Sequence, residues 1–322
     1  MKAKMRSGLQ GLKSLALGLG ILLLSLVVGK ASAENVRVGI ASLNVTMMPL
    51  AVAREQGFFQ QEGLNVDLVV MPAALNIKVL LSGDIDYATT VGSAVIAAVR
   101  GIDVRVVMLF TDRPLFDLVA TPKINSVAEL KGRTISISSR GGIQDAILRR
   151  MLQQSGVDQR EVSVLTIAIP SAMVAAIKSE RIAAGLIIPP YNFLAYREGL
   201  KNLGSAGSFM RLPSAGIVAM REKLDRNPDQ IRRMLRALTR AQAFAKEQKL
   251  AVIPILKRFM GMKDEDLLSQ IYDYHRRAEA TDGRIDTALA AETIRDTRVS
   301  EGVAKEIPVE QVFDFSYLTQ RR

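Results

Sequence analysis

VRVGIASLNVTMMPLAVAREQGFFQQEGLNVDLVVMPAALNIKVLLSGDIDYATTVGS, residues 36–93, alternates three short apolar runs with two helical stretches. Val36–Ala41, Val66–Met71 and Asp86–Thr90 have the length and composition of strands, and each gives way to small or polar residues. Met48–Gln56 reads as a helix, with Pro49 in its opening turn, where a missing N–H costs little, and Gly57 as its stop. Ile77, Leu80 and Leu81 share one face of the next helix, which Ser82-Gly83 ends. Gly92-Ser93 opens a third, running through Val99, and Ser93 is a good N-cap type. This alternation predicts an α/β sheet, and the corners after its strands are where such sheets hold ligands.

The pattern continues outward. Val104–Phe110 reads as a fourth strand, and Leu118-Val119-Ala120 as a strand leaving the first unit. A second, shorter unit follows, with strands at Arg133–Ser138, Val162–Ala168 and Ala184–Ile188 and helices at Gln144–Ser155 and Ala172–Lys178. From about Ile217 the texture turns helical. Asp229–Gln248 carries Ile231, Met234, Leu235, Leu238 and Phe244 on one face, and shorter helices are expected around Ala251–Met260, Asp264–Tyr274 and Asp286–Arg295. The expected organisation is two α/β lobes, residues 34–119 with 214–322 and residues 120–213. Two crossing segments near 112–120 and 209–216 serve as a hinge. A cleft between such lobes is a usual small-ligand site.

The chain's start reads as an export signal. Lys2, Lys4, Arg6 and Lys13 precede an apolar stretch from Leu15 to Val28, and Ala31-Ser32-Ala33 has the small-residue pattern of a cleavage site. Residues 1–33 are therefore expected to be a signal peptide cleaved after Ala33. The apolar run is shorter than the roughly 20 residues of a membrane anchor. Five of the eleven surplus positive charges belong to Lys2, Lys4, Arg6, Lys13 and Lys30, leaving about +6 on residues 34–322. Those cations are dispersed and not interleaved with aromatics, which argues against nucleic-acid binding. The chain has no cysteine, which excludes disulfides, thiol nucleophiles, Cys-type zinc sites and a lipid-modified cysteine. A soluble periplasmic protein is the expectation.

Two runs carry a family resemblance. One is Ala53-Arg54-Glu55-Gln56-Gly57-Phe58-Phe59 followed by Glu62-Gly63-Leu64-Asn65-Val66; the other is Ser82-Gly83-Asp84-Ile85-Asp86-Tyr87-Ala88. They resemble the periplasmic substrate-binding components of ABC importers, of the type that includes nitrate, sulfonate, taurine and thiamine-pyrimidine-precursor binders. The resemblance implies a type II periplasmic-binding-protein-like fold, a small-molecule solute, an ABC permease in the inner membrane as partner, no cofactor, no catalysis and a monomer.

It also implies that the corners face the cleft. In the first lobe these are Ser42, Leu43 and Asn44, then Ala73, Ala74 and Leu75, then Thr90, Val91, Gly92 and Ser93. In the second they are Ser138, Ser139, Arg140, Gly141 and Gly142, with Pro190, Tyr191 and Asn192. Gly92-Ser93 and Gly141-Gly142 each stand where a strand yields to a helix, and free N–H groups at a helix start attract negative charge. Arg140 either pairs with a carboxylate or sulfonate or points to solvent. A small organic anion is the expected solute. Asp112 and Arg113 form an ion pair beside the hinge or a solvated turn, and Met47 and Met48 fill the core or make a thioether wall in the cleft.

Two other readings share the fold. A pyrimidine-synthase-like enzyme needs a reactive histidine in its pocket, whereas the only one, His275, lies in the helical C-terminal part, far in sequence from every corner. No G-x-S-x-G, H-E-x-x-H or Walker-type run occurs. A ligand-sensing subunit is the second alternative.

Overall fold

The computed structural model describes residues 33–138, 140 and 143–318. Apart from Ala33, the expected signal peptide lies outside the described residues. The chain builds β1 (Glu34–Ile40), α1 (Met48–Glu55), β2 (Leu64–Val70), α2 (Ala73–Ser82), β3 (Tyr87–Thr90), α3 (Val91–Val99) and β4 (Val104–Thr111). It then crosses to β5 (Asp117–Ala120), β6 (Thr134–Ile137), α4 (Ile143–Gln154), β7 (Ser163–Thr166), α5 (Pro170–Lys178), β8 (Ala184–Ile187), α6 (Tyr191–Arg197) and β9 (Lys201–Ser205). It returns in β10 (Ala215–Met220) and closes with α7 (Pro228–Glu247), α8 (Lys249–Met260), α9 (Glu265–Arg276) and α10 (Thr287–Glu301). Among the described residues no helix is long and apolar enough to cross a membrane.

The strands form two five-stranded sheets, ordered β2-β1-β3-β10-β4 and β7-β6-β8-β5-β9. The two orders match place for place. β1 runs parallel to β3, as β6 does to β8. β10 is antiparallel to β3 and β4, as β5 is to β8 and β9. Each lobe therefore receives its fourth strand from the chain as it arrives from the other lobe. β5 lies wholly in the second sheet, so the chain leaves the first sheet at residues 112–116, ahead of the expected boundary, and returns at 210–214. Three elements were not foreseen. β9 is a short strand containing Gly204, α6 starts where a corner was expected, and β10 is an apolar run that directly follows Pro213-Ser214.

Helices cover both faces of each sheet. In the first lobe, Leu50, Ile231, Leu235, Leu238, Leu256 and Ile271 pack against one face, and Ile77, Leu80, Val95 and Ile294 against the other. In the second, α4 contributes Ile147, Leu148, Met151 and Leu152 to one core, and α5 and α6 contribute Met173, Ile177 and Ala195 to the opposite one. Buried on both faces, β10 and β5 are apolar over most of their length, the usual pattern for interior strands.

One glycine secures the return strand. A Cβ added at Gly216 would lie 2.1 Å from the Met108 carbonyl oxygen and 3.0 Å from the Leu109 Cα, both backbone atoms of β4. We expect Gly216→Ala to lower unfolding stability in urea by about 1–3 kcal/mol, the usual range for overpacking. An unchanged midpoint would show that β4 and β10 separate without cost.

Candidate functional site

A cavity of about 200 Å³ lies where both crossing segments meet the ends of the inner strands of both sheets. From the first lobe it is lined by Ala41, Ser42, Asn44 and the turn Val45–Met47 after β1, and by Thr89 and Thr90 at the end of β3. From the second lobe come Ile143 at the start of α4 and Ile188 and Pro189 after β8. Leu115 and Phe116 belong to the outgoing crossing, Ser214 to the returning one, and Ala215 begins β10.

Its polar groups are largely held in place by one another. Asn44 Oδ1 accepts from the Thr46 N–H at 2.8 Å and from the Thr46 hydroxyl at 2.6 Å, and Asn44 Nδ2 donates to Ser42 Oγ at 2.7 Å. Thr89 Oγ1 donates to the Gly39 carbonyl at 3.0 Å, and Ser214 Oγ lies 2.7 Å from Thr111 Oγ1. Thr90 Oγ1 is different: it is buried with no hydrogen-bond partner. Thr90 also starts α3 without a side-chain bond to the first turn, so the positive end of that helix adjoins the same wall. No ionisable side chain lines the cavity among the described residues. Also among the described residues, no group of His, Cys, Asp and Glu could hold a metal ion.

The cavity thus collects Ser42, Asn44 and Thr90 from the corners read in the sequence. Leu43 is exposed between two of them. Val91 is buried in the first lobe's core, while Gly92 and Ser93 stand half-exposed in the first turn of α3; a Cβ on Gly92 would meet nothing. The helix begins two residues earlier than expected, so Ser93 is inside it and not its cap. Ala73, Ala74 and Leu75 form the first turn of α2, and Ala73 and Leu75 are outside the cavity lining. Ser138 is half-buried, its N–H donating to Gln144 Oε1 at 2.6 Å. Ser139, Gly141 and Gly142 lie outside the described residues. Arg140 is exposed and its guanidinium donates to the Val164 carbonyl on β7, the outer strand of the sheet.

Pro190, Tyr191 and Asn192 directly follow the lining residue Pro189 and begin α6. Tyr191 packs against the second lobe's core. Asn192 is buried and donates through Nδ2 to Asp117 Oδ2 at 2.6 Å. The same carboxylate accepts the hydroxyls of Tyr196, at 2.6 Å, and Tyr274, at 2.5 Å. Burial, reinforced by the negative charge of Asp117, pushes both phenols well above their ordinary pKa. Tyr274 belongs to α9 of the first lobe, so this buried cluster joins the lobes beside the cavity. Phe193 of α6 meets Tyr274 edge-on at 5.6 Å, and Arg197 pairs with Asp264.

The hinge turn reads differently from expectation. Asp112 pairs with Arg211 of the returning crossing, at 2.5 Å, not with Arg113. Arg211 also reaches Asp286, the N-cap of α10, at 2.6 Å. Arg113 donates instead to the Gly207 carbonyl. Pairs between distant segments have no local signature. Met47 lines the cavity while Met48 is core. Leu115, Phe116, Ser214 and Ala215 were missed as lining residues because only the crossing of the chain brings them together; Ile188 and Pro189 fell just before a corner that was named.

A family model described as NMT1/THI5 like matches residues 44–249. The chain is 27% identical over 254 residues to a Brucella abortus (strain 2308) protein provisionally named as a binding protein, spanning 74% of this chain and 76% of that one. It is 26% identical over 213 residues to the riboflavin-binding protein RibY of Chloroflexus aurantiacus, over 62% of this chain and 59% of RibY. Among solved structures, the periplasmic aliphatic sulphonate binding protein SsuA from Escherichia coli superposes with a TM-score of 0.73 at 19% identity, over 86% of this chain and 96% of that one. The periplasmic nitrate-binding protein NrtA from Synechocystis does so with a TM-score of 0.68 at 14% identity, over 88% and 87%. The architecture is that of the periplasmic binding proteins.

The sole histidine is not in the cavity lining. His275 is fully buried in α9, with no hydrogen-bond partner on either ring nitrogen. Glu279 Oε1 lies 3.5 Å from its Nδ1, but that carboxylate is paired with Arg276. Burial, with the Arg276 charge adding to it, lowers the pKa from 6.5 to about 3. The unfolded chain binds a proton near pH 6.5 and the folded chain does not, so stability present above that pH is lost as pH falls towards 3. Between pH 7.5 and 5 we expect the native protein to lose about 2 kcal/mol more stability in urea than His275→Leu does. Parallel pH profiles would show that the imidazole is protonated inside the fold.

Proposed function

The chain belongs to the NMT1/THI5-like family, and from that premise we propose that it is the extracytoplasmic solute-binding component of an ABC importer. In this reading it is exported to the periplasm, works as a monomer, and presents one small solute to a membrane permease. The observation that carries the reading is the cavity itself, whose walls come from both lobes and from both crossing segments. A solute held there touches both lobes at once, so it favours whichever lobe arrangement fits it better.

The lining supports a particular solute chemistry. Burying a charge without a counter-charge is costly, and the described lining offers none. The expectation of an anion rested on the helix starts at Gly92-Ser93 and Gly141-Gly142 and on Arg140, whose guanidinium is engaged at Val164. We therefore favour an uncharged solute. A cavity of about 150 Å³ holds benzene, so this one suits a single ring with small substituents. Thr90 Oγ1 is the free hydroxyl positioned to bond a polar group on that ring, while Met47, Phe116 and Ile143 supply apolar contact. The polar lining groups are hydroxyls and one amide, which can hydrogen-bond a solute but offer no acid or base to transform it.

Calorimetry and thermal shift against uncharged monocyclic heterocycles, alkanesulfonates, carboxylates and nitrate test this proposal. We expect saturable one-to-one binding of an uncharged ring that raises the melting temperature. Thr90→Val should weaken it roughly tenfold, the scale of one lost hydrogen bond, with melting of the free protein unchanged. Turnover of a panel compound without a stable complex would defeat the receptor reading. Exclusive binding of anions, undisturbed by Thr90→Val, would defeat the assignment of the cavity.

A further inference from the structure

Next to the cavity, the two lobes present apolar side chains that nothing in the structure covers. The corners after β1 and the start of α4 beyond β6 line the cavity, and the next strand outward in each sheet is β2 and β7. The Met71 N–H donates to the Ile40 carbonyl at 3.0 Å, and the Ile167 N–H donates to the Ile137 carbonyl at 2.9 Å. These bonds fix the ends of β2 and β7 beside the ends of β1 and β6, about 4.8 Å farther from the crossing segments. At those ends stand Val70, 55% exposed, and Leu75, 43% exposed, on the first lobe, and Leu165, 46% exposed, and Ile169, 62% exposed, on the second. Leu43, 46% exposed, sits between the cavity residues Ser42 and Asn44.

Single exposed apolar residues need no explanation. Here, five of the ten large exposed hydrophobics among the described residues lie at or near the ends of β1, β2 and β7, and that placement does need one. A solute already seated in the cavity has only to extend by one strand spacing to reach them.

We propose that Leu43, Val70, Leu75, Leu165 and Ile169 form an outer subsite that receives an apolar substituent of the solute and selects among solutes by the length of that substituent. The inference rests on the receptor reading and adds a chemical class to it: an uncharged ring carrying an apolar chain. The ring occupies the cavity, with its polar group at Thr90, and the chain runs outward between the ends of β2 and β7. Each methylene that leaves water there tightens binding, up to the length at which the chain passes the outer strands.

The test uses 4-alkylphenols, from 4-methylphenol to 4-hexylphenol, titrated by calorimetry into the purified protein and into the Val70→Ser/Ile169→Ser double variant. In the unaltered protein the affinity should rise about threefold per added methylene and then level off. In the double variant the rise should fall below about 1.5-fold per methylene, while 4-methylphenol, whose ring stays within the cavity, binds both proteins equally. Both residues are exposed, and equal melting temperatures confirm equal folding. Affinity that does not depend on chain length, or a rise that persists in the double variant, overturns the outer subsite and leaves the cavity standing. Failure of every member to bind, 4-methylphenol included, overturns the cavity reading and the subsite together.

Discussion

Asp117 enters the second lobe with its carboxylate buried, and three donors converge on it: Asn192 and Tyr196 from α6, and Tyr274 from α9. A buried carboxylate is tolerated only when its oxygens are hydrogen-bonded, so these three side chains and their helices are confined to positions that reach it. Because Tyr274 belongs to the first lobe, satisfying Asp117 also sets the relation of the lobes on that side. Phe193 against Tyr274 and Arg197 with Asp264 extend the same seam. Arg211 does comparable work at the crossings, joining Asp112 on the outgoing segment to Asp286 at the start of α10.

The matched strand orders explain why the site lies where it does. In each sheet the second and third places are taken by strands whose ends lead into the cavity, and the fourth place is taken by a strand that has just crossed between lobes. The crossing segments therefore run past the ends of β3 and β8, and the cavity forms where these four features meet. Its polar side is built mainly from turn chemistry: Ser42, Asn44 and Thr46 bond one another. Thr90 alone brings a buried hydroxyl without a partner. A solute bound in such a cavity would be recognised by shape and by a small number of hydrogen bonds; the riboflavin-, sulphonate- and nitrate-binding proteins to which the chain is similar are named for chemically different molecules.

Much of the architecture was legible because its causes are local. Gly57 has a φ of 70° and Gly83 of 79°, the left-handed conformation that glycine adopts without penalty, and both stand where the sequence placed helix stops. The apolar face of α7, with Ile231, Met234, Leu235 and Leu238, is buried as its spacing required. Where the sequence misled, the cause was partnership over long range. Arg140 next to glycines reads either as an anion clamp or as a solvent-pointing residue, yet its guanidinium donates to a carbonyl on β7. Asp112 next to Arg113 reads as a local pair or a solvated turn, yet Asp112 is buried and its partner is 99 residues away. β10 has the composition of an ordinary interior strand, and nothing local says that it completes a sheet the chain left some hundred positions earlier.

The sequence by itself determined the elements, their alternation and the corners at which a ligand site is built, since these follow from hydrophobic period, glycine conformation and capping chemistry within a few residues. Only the tertiary structure decided which corners share a cavity, and that the cavity carries no charge on its described walls. Those outcomes depend on where the chain crosses twice between the sheets and on which distant side chain claims each buried or charged group, and neither is encoded in any one stretch of residues.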